Sequence, residues 1–123
     1  MATRRISESE YLAVVSRAES GVSHPACEAM IPGACTGSMQ EWHHRKLRSQ
    51  GGGHEVVNGL GVCAGCHRAI HADPSRAYEH GWLVRGYHEP ADMPVFRRGE
   101  WVFLTMEGGV EHGSDSENGE DRG

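Results

Sequence analysis

The segment CAGCHRAIH, from Cys63 to His71, carries two cysteines and two histidines within nine residues. Side chains on a helix rotate by about 100° per residue, so Cys66 and His67 point to different sides and cannot easily share one ion. His67 and His71 are four residues apart and lie on one helix face. Cys63 and Cys66 can grip a metal across the turn that enters the helix. The segment therefore predicts two metal sites.

The cysteine pair needs two further thiolates, and the only other cysteines of the chain are Cys27 and Cys35. Both lie in segment 22–40, which is rich in Gly, Pro, Ser and Thr and lacks helical or strand periodicity. A four-thiolate shell would form a closed structural zinc site and hold this loop, although the spacing CX7C is wider than usual. Two disulfides, Cys27–Cys35 and Cys63–Cys66, are the less favoured alternative because we expect a reducing compartment.

The histidine pair can be completed from the sequence neighbours His43 and His44. A three-histidine shell leaves positions open for water and a substrate oxygen, as a catalytic metal requires. Adjacent residues on a strand face opposite ways, so only one of these two histidines can join the ion. The other is suited to act as a general base near neutral pH. For His71, capping the helix C-terminus is the alternative to binding the metal.

The chain of 123 residues suits a single domain of the α+β class. A capping box at Ser7–Glu10 predicts an N-terminal helix that stops at Gly21. The spacing of apolar and turn residues predicts the remaining elements, which are strands at 40–44, 59–63 and 82–84, helices at 64–71 and 75–80, and a hairpin within 95–104.

The formal charge of −5 is concentrated in the tail, because residues 107–123 hold six acids against one arginine. This composition predicts that 106–123 is disordered. The remaining chain is neutral, but segment 44–68 has four bases against one acid, which allows contacts with phosphates by Arg45 and Arg68. No apolar run approaches the ~20 residues that span a membrane, and no secretory signal is recognisable, so we expect a cytoplasmic protein.

Other aromatic and imidazole side chains lack a spacing that suggests chemistry. We expect the three tryptophans to be packing residues. We expect the remaining five histidines to be ordinary surface residues, namely His24, His54, His80, His88 and His112.

The order of His43-His44, Asn58, and a CX2CH motif ending at His67 resembles the HNH endonucleases of the ββα-metal (His-Me finger) group. The resemblance covers roughly 27–104 and is strongest to the small HNH proteins that bacteriophages encode. It implies a small ββα-metal fold. With the helix and the tail predicted above, the chain divides into an N-terminal amphipathic helix, a nuclease domain and the acidic tail, at 1–22, 23–105 and 106–123.

The resemblance also implies roles for single residues around a catalytic divalent ion. His43 and His67 match the family's two metal ligands, and His71 matches an additional ligand found in the colicin-nuclease branch. Glu41 stands where that branch places an acid that supports a ligand. The ion implied is Mg²⁺, Mn²⁺, Ni²⁺ or Zn²⁺.

On the same basis, His44 matches the general base, and Asn58 matches the residue that fixes the loop and orients the base. The implied activity is hydrolysis of double-stranded DNA to 5′-phosphate and 3′-hydroxyl ends. Such phage proteins often act with the terminase large subunit during DNA packaging in the host cytoplasm. The alternatives are a non-catalytic zinc-bound nucleic-acid adaptor of the same fold and, less favoured, a restriction or homing nuclease.

Overall fold

The computed structural model describes residues 5–112 as a small α+β protein with short helices and two antiparallel sheets. The elements in chain order are α1 (Glu8–Glu19), β1 (Glu41–His44), β2 (Gly59–Val62), α2 (Ala64–Ala72), α3 (Pro74–Glu79), β3 (Val95–Arg97), β4 (Glu100–Leu104) and β5 (Val110–His112). Three single 3₁₀ turns lie between them, at Arg48–Gln50, Val56–Asn58 and Pro90–Asp92. No helix within 5–112 is long and apolar enough to cross a membrane.

The N-terminal helix begins as its capping box predicts. The Ser7 hydroxyl accepts a hydrogen bond from the Glu10 backbone N–H at 3.1 Å, and the Glu10 carboxylate accepts one from the Ser7 N–H at 2.8 Å. These bonds satisfy two amide donors that a helix N-terminus otherwise leaves unpaired. The helix buries Val14, Arg17 and Ala18 and so attaches its inner face to the rest of the molecule.

A short antiparallel pair, β1 with β2, leads directly into α2. The register sets Glu41 opposite Val62 and His44 opposite Gly59. Gly59 must lack a side chain, because a Cβ there would lie 2.3 Å from the Trp42 ring. Only one residue separates β2 from α2, so the end of the strand and the start of the helix are fixed together. Cys63 is that residue and the helix N-cap, with its Sγ accepting the Cys66 N–H at 3.2 Å.

The second sheet has the order β3-β4-β5. The predicted hairpin within 95–104 is confirmed, and its turn residues Arg98 and Gly99 both have positive φ, at 52° and 82°. Positive φ at both turn positions is typical of the tight type I′ turn.

Two elements differ from the predictions. The prediction of a strand at Trp82–Val84 is wrong. The backbone N–H groups of Trp82 and Leu83 donate to the Ala77 carbonyl near the end of α3, and the Val84 N–H donates to the Arg45 carbonyl. The prediction that 106–123 is disordered is wrong for Val110–His112, which pairs with β4 as a third strand. The rest of that predicted tail, 113–123, lies outside the described residues.

A buried carboxylate ties α1, the cysteine loop and β3 together. Glu28 is fully buried and receives Arg17 Nε and Nη2 and Arg97 Nε, each at 2.7 Å, and the Gly61 N–H at 2.9 Å. Burial alone would raise the pKa of Glu28, but the two arginines hold that pKa below its ordinary value. A buried charge of this kind is stable only with such partners.

Arg45 is also fully buried, which contradicts the prediction that it contacts phosphate. Its guanidinium donates to backbone carbonyls between 2.9 and 3.5 Å, those of Val57, Gly81, Pro90, Met93 and Pro94. Burial and the neighbouring Arg17 lower the pKa of Arg45 to about 9. The side chain therefore holds irregular segments in place, and it is this network that fixes the stretch around Trp82.

Candidate metal centres

The four cysteines predicted to form one site do come together. Their Sγ atoms all lie within 4.8 Å of one another, and every one of the four is a free thiol. A tetrahedral thiolate site with metal–sulfur bonds of about 2.3 Å has sulfur atoms roughly 3.8 Å apart, so modest side-chain adjustment closes the shell. Three of the four are buried, and Cys35 is partly exposed. The cluster can hold a structural metal ion.

Backbone amides point at the sulfur atoms, as expected for a thiolate cluster. Cys63 Sγ accepts the N–H groups of Thr36 and Cys66 at 3.3 and 3.2 Å, and Cys66 Sγ accepts the Ile31 N–H at 3.3 Å. Burial raises the pKa of Cys63, but these amides outweigh burial and lower the pKa to about 6. Burial raises the pKa values of Cys35 and Cys66. A bound cation would remove this conflict between burial and charge.

The loop that supplies Cys27 and Cys35 wraps closely around the start of α2. The Cys27 N–H donates to the Gly37 carbonyl at 2.9 Å, and Ala26 and Ser38 form an isolated bridge. A Cβ at Gly65, in the first turn of α2, would lie 2.1 Å from the Ala34 carbonyl oxygen. The absence of a side chain at this position therefore lets the loop approach the helix.

A second cluster contains His43 from β1 and His67 and His71 from α2. One ring nitrogen from each lies within 4.8 Å of the others, and the ring centroids are 5.0 to 5.5 Å apart. His43 is buried, His67 is partly exposed and His71 is exposed. This group can also hold a metal ion, and its exposed side leaves access for a ligand from solution.

Two rings of this histidine cluster each have one nitrogen engaged by the protein. His43 Nε2 is 2.7 Å from the Trp82 carbonyl oxygen, an acceptor, so Nε2 carries the proton and Nδ1 keeps its lone pair. Burial lowers the pKa of His43 to about 3, which keeps this ring neutral. His67 Nδ1 is 2.5 Å from Glu41 Oε1, which leaves Nε2 for a metal. Partners of this kind fix the orientation of metal-binding histidines.

His44 faces a different neighbour from His43, although it follows it directly in sequence. Its Nε2 lies 3.0 Å from Nδ1 of His54, and its ring packs against Trp42 with centroids 4.7 Å apart. Burial lowers the pKa of His44, and His54, Arg48 and His67 lower it further. The ring is therefore neutral near pH 7 and can accept a proton.

His54 was predicted to be an ordinary surface residue, and this is wrong, because only 3% of it is exposed. Its Nδ1 contacts His44 and its Nε2 lies 2.8 Å from Nη1 of Arg48. The nine residues between His44 and His54 include a 3₁₀ turn and three glycines, so no periodicity links the two rings. A Cβ at Gly52 would lie 1.7 Å from the Lys46 carbonyl, which identifies the close return of this loop.

Asn58 holds the same loop from its other end. Its side chain is buried, donates to the Lys46 and Gly53 carbonyls at 3.1 and 2.9 Å, and accepts the Lys46 N–H at 2.6 Å. These contacts join the residues after β1 to the residues just before His54. Asn58 thus touches the loop that carries the partner of His44.

Comparison of the chain with protein-family models, with curated proteins and with solved structures finds no match. The chemistry and geometry of the two clusters are therefore the basis for a proposed function.

Proposed function

We propose that the protein is a metal-dependent DNA endonuclease of the HNH class. The observation that carries the proposal is the open cluster of His43, His67 and His71 with the neutral imidazole of His44 beside it. The order β1-β2-α2 and the contacts of Asn58 support the same class, since the resembling family places its ligands, base and loop asparagine on such elements.

His44 is the proposed general base. Phosphodiester hydrolysis needs a water deprotonated opposite the leaving oxygen, and a positioned neutral imidazole performs this step near neutral pH. His44 meets these requirements because burial lowers its pKa and His54 fixes one ring nitrogen. No hydrogen bond from the described residues occupies its Nδ1, so this nitrogen, in the tautomer that leaves it unprotonated, is the one that can receive a proton from water.

The three-histidine cluster is the proposed site for a catalytic divalent ion. When bound, the ion would act as a Lewis acid and stabilise the departing 3′ oxygen, so the products carry 5′-phosphate and 3′-hydroxyl ends. The Trp82 carbonyl and Glu41 keep the ligand rings of His43 and His67 in place for this task. Imidazole ligands suit Zn²⁺ and Ni²⁺, and Mn²⁺ and Mg²⁺ are further candidates that the resemblance implies.

The four-cysteine cluster is the proposed structural zinc site. A shell of four thiolates has no open position, and zinc is the ion that usually fills such a shell. The ion would hold the loop of Cys27 and Cys35 against α2, and α2 carries His67 and His71.

Double-stranded DNA is the proposed substrate, and exposed basic side chains near the site support this choice. Arg48 and Arg68 are exposed and stand beside the clusters in sequence, so they are the side chains we assign to phosphate contacts. Action with a phage terminase large subunit in DNA packaging, in the host cytoplasm, is part of the proposal and rests on the resemblance alone.

Cleavage of supercoiled plasmid tests the activity. The parent, loaded with zinc, is incubated with Mg²⁺, Mn²⁺, Ni²⁺ or added Zn²⁺, and nicked and linear products are measured. We expect divalent-dependent cleavage, and we expect His44→Ala to lower the rate by about 100-fold or more, as loss of a general base does.

The control is His24→Ala, because His24 is an exposed histidine outside both clusters. His44→Ala must keep the parent's melting temperature and metal content for its loss of activity to count. If a folded, zinc-loaded parent cleaves under none of these conditions but still binds DNA, the nuclease proposal fails and the non-catalytic adaptor becomes the better function.

A further inference from the structure

Three side chains form a continuous hydrogen-bonded row that ends at the proposed base. Arg48 Nη1 is 2.8 Å from His54 Nε2, and His54 Nδ1 is 3.0 Å from His44 Nε2. The outer end, Arg48, is exposed, whereas His54 in the middle is buried. The row therefore runs from the surface to the base, and the function of its buried member is not explained by the metal sites.

The chemistry of arginine fixes the direction of these bonds. A guanidinium only donates, so His54 Nε2 must accept and cannot carry a proton. In a neutral ring, His54 then holds its proton on Nδ1 and donates it to Nε2 of His44. The lone pair of neutral His44 is thereby engaged on Nε2, and its proton sits on Nδ1, the nitrogen that would have to receive a proton from water.

We propose that Arg48 and His54 act as a substrate-operated gate on His44, closed while Arg48 donates to His54 and opened when a DNA phosphate takes the Arg48 guanidinium. The inference rests on the proposed nuclease function. Arg48 and His54 are positioning residues in this scheme, because they act through His44 and touch no reacting atom.

Opening the gate changes the tautomers of two neutral rings without changing their charge. Once Arg48 leaves, His54 Nε2 takes a proton from water, and His54 gives its Nδ1 proton to Nε2 of His44. His44 releases its Nδ1 proton to water, so one proton enters the row and one leaves. His44 then donates from Nε2 to His54, and its Nδ1 lone pair faces the water to be activated.

The location of each residue suits this role. Arg48 opens a single 3₁₀ turn and its side chain is accessible to a phosphate from solution. A charge-assisted bond from guanidinium to phosphate is stronger than one to a neutral imidazole, so DNA can compete for the guanidinium. Buried His54 is fixed between the two partners and transmits the change.

Activity on two substrates tests the gate. Bis(p-nitrophenyl) phosphate offers one phosphodiester and no neighbouring phosphates for Arg48, whereas plasmid DNA offers both. We expect Arg48→Ala to raise kcat on the small diester by about tenfold. A general base contributes a factor of roughly 100 or more, and the expected rise is one-tenth of that factor. The same variant should lower kcat/KM on DNA, because a phosphate contact is lost. Arg85→Ala is the matched control, since Arg85 is an exposed arginine that contacts Tyr78 instead.

Two substitutions of His54 separate the gate from simple packing. His54→Asn keeps an amide near the Nδ1 position, so it still contacts His44 but no longer reaches Arg48. In this background Arg48→Ala should have no effect on the small diester, which a double-mutant comparison measures. His54→Phe fills the space without hydrogen bonds, so neither arrangement of the gate can form. Its kcat on the small diester should not fall below that of the parent, whereas its kcat on DNA should fall by roughly tenfold or more because the open arrangement is lost. Thermal denaturation of each variant identifies any that fail to fold.

Nitrogen NMR of the zinc-loaded protein tests the row without any cleavage. We expect a protonated Nδ1 and an unprotonated Nε2 on His54, and the reverse order in Arg48→Ala. If the parent cleaves neither substrate, the nuclease proposal fails. The NMR spectra alone then show whether the protons of the row lie where the inference puts them. An unprotonated Nδ1 on His54 in the DNA-free parent would overturn the gate. So would an equal effect of Arg48→Ala and Arg85→Ala on the small diester.

Discussion

The four-cysteine cluster and the three-histidine cluster share helix α2 but differ in how the rest of each is held. Cys27 and Cys35 come from a loop with almost no regular structure, and their cluster is mostly buried. His43 comes from β1, which is already paired with β2, and its cluster is open on the side of His71. One cluster thus joins an irregular loop to α2, and the other lies on a paired strand and a helix.

One helix can therefore carry two clusters that contribute differently to stability. A metal at the cysteines would provide part of the folding free energy, because it would join the irregular loop to α2. A metal at the histidines adds little to folding, because the Trp82 carbonyl and Glu41 already orient two of the rings. Loss of metal should therefore destabilise the fold in the first case and leave it largely intact in the second.

The largest expected effect comes from Cys63→Ser. Structural zinc sites bind with roughly 10–16 kcal/mol, comparable to the whole stability of about 5–15 kcal/mol of a small domain. We expect this variant to lose its bound metal and its cooperative thermal transition, as measured by metal analysis and calorimetry. Thr36→Ser, which keeps the backbone N–H that contacts Cys63, is the control. A Cys63→Ser protein that melts at the parent's temperature would show that the cysteine cluster does not stabilise the fold more than the histidine cluster does.

Acid should lower the free energy of unfolding through His43, a member of the histidine cluster. Because the folded chain lowers the pKa of His43 from 6.5 to about 3, only the unfolded chain binds a proton there as the pH falls. The stability that neutral His43 contributes is thus fully present above pH 6.5 and is lost between pH 6.5 and 3, by an amount on the order of 5 kcal/mol. Urea denaturation across this pH range measures the effect, with protein that carries no metal at the histidine cluster.

His43→Gln is the comparison for this pH dependence. Its side-chain amide can still donate to the Trp82 carbonyl but does not titrate. Its stability should fall less than that of the parent between pH 6.5 and 3. Parallel curves for the two proteins would show that His43 is not held neutral in the folded state.

Removing a histidine ligand should cost little stability. We expect His71→Ala to change the free energy of unfolding by about 0.5 kcal/mol or less, because His71 is exposed and surface substitutions are usually within this range. The same variant should lose one of two bound metal ions and keep the other. His24→Ala should keep both, and retention of both ions by His71→Ala would exclude His71 as a ligand.

The smallest effect on either cluster should come from shortening the chain. Ending the protein at Met106 removes β5 and its pairing with β4, and we expect a loss of about 1 kcal/mol with both metal sites intact. Ending it at His112 keeps β5 and should cost less. Denaturation midpoints and metal content of the two truncated proteins measure this, and loss of metal from either would connect the tail to the clusters.

Features with short sequence separation were predictable. The Ser7–Glu10 capping box, the hairpin at Arg98-Gly99 and the helix that begins after Cys63 each depend on residues within a few positions. The pairing of His67 and His71 follows from the period of one helix. Local geometry alone determines these contacts, so their sequence signals are strong.

Other features were missed because their partners are distant and their signals are generic. Arg45 is one base among several in segment 44–68, and only the structure shows that it bonds to carbonyls 36 to 49 residues away. Trp82–Val84 has the composition of a strand, but no strand within 5–112 pairs with it. Val110–His112 has little apolar character and becomes a strand because β4 offers a free edge.

The types of the candidate ligands, the division of CAGCHRAIH between two clusters and the elements that carry them follow from the sequence, because residue chemistry and helix period need no distant partner. Tertiary packing buries Arg45, brings His54 against His44 and adds Arg48 to this row. Those contacts depend on how a glycine-rich loop returns to the strand it left, and Asn58 and the carbonyl network fix that return. Loop closure is set by packing across the whole molecule, so spacing along the chain does not encode it.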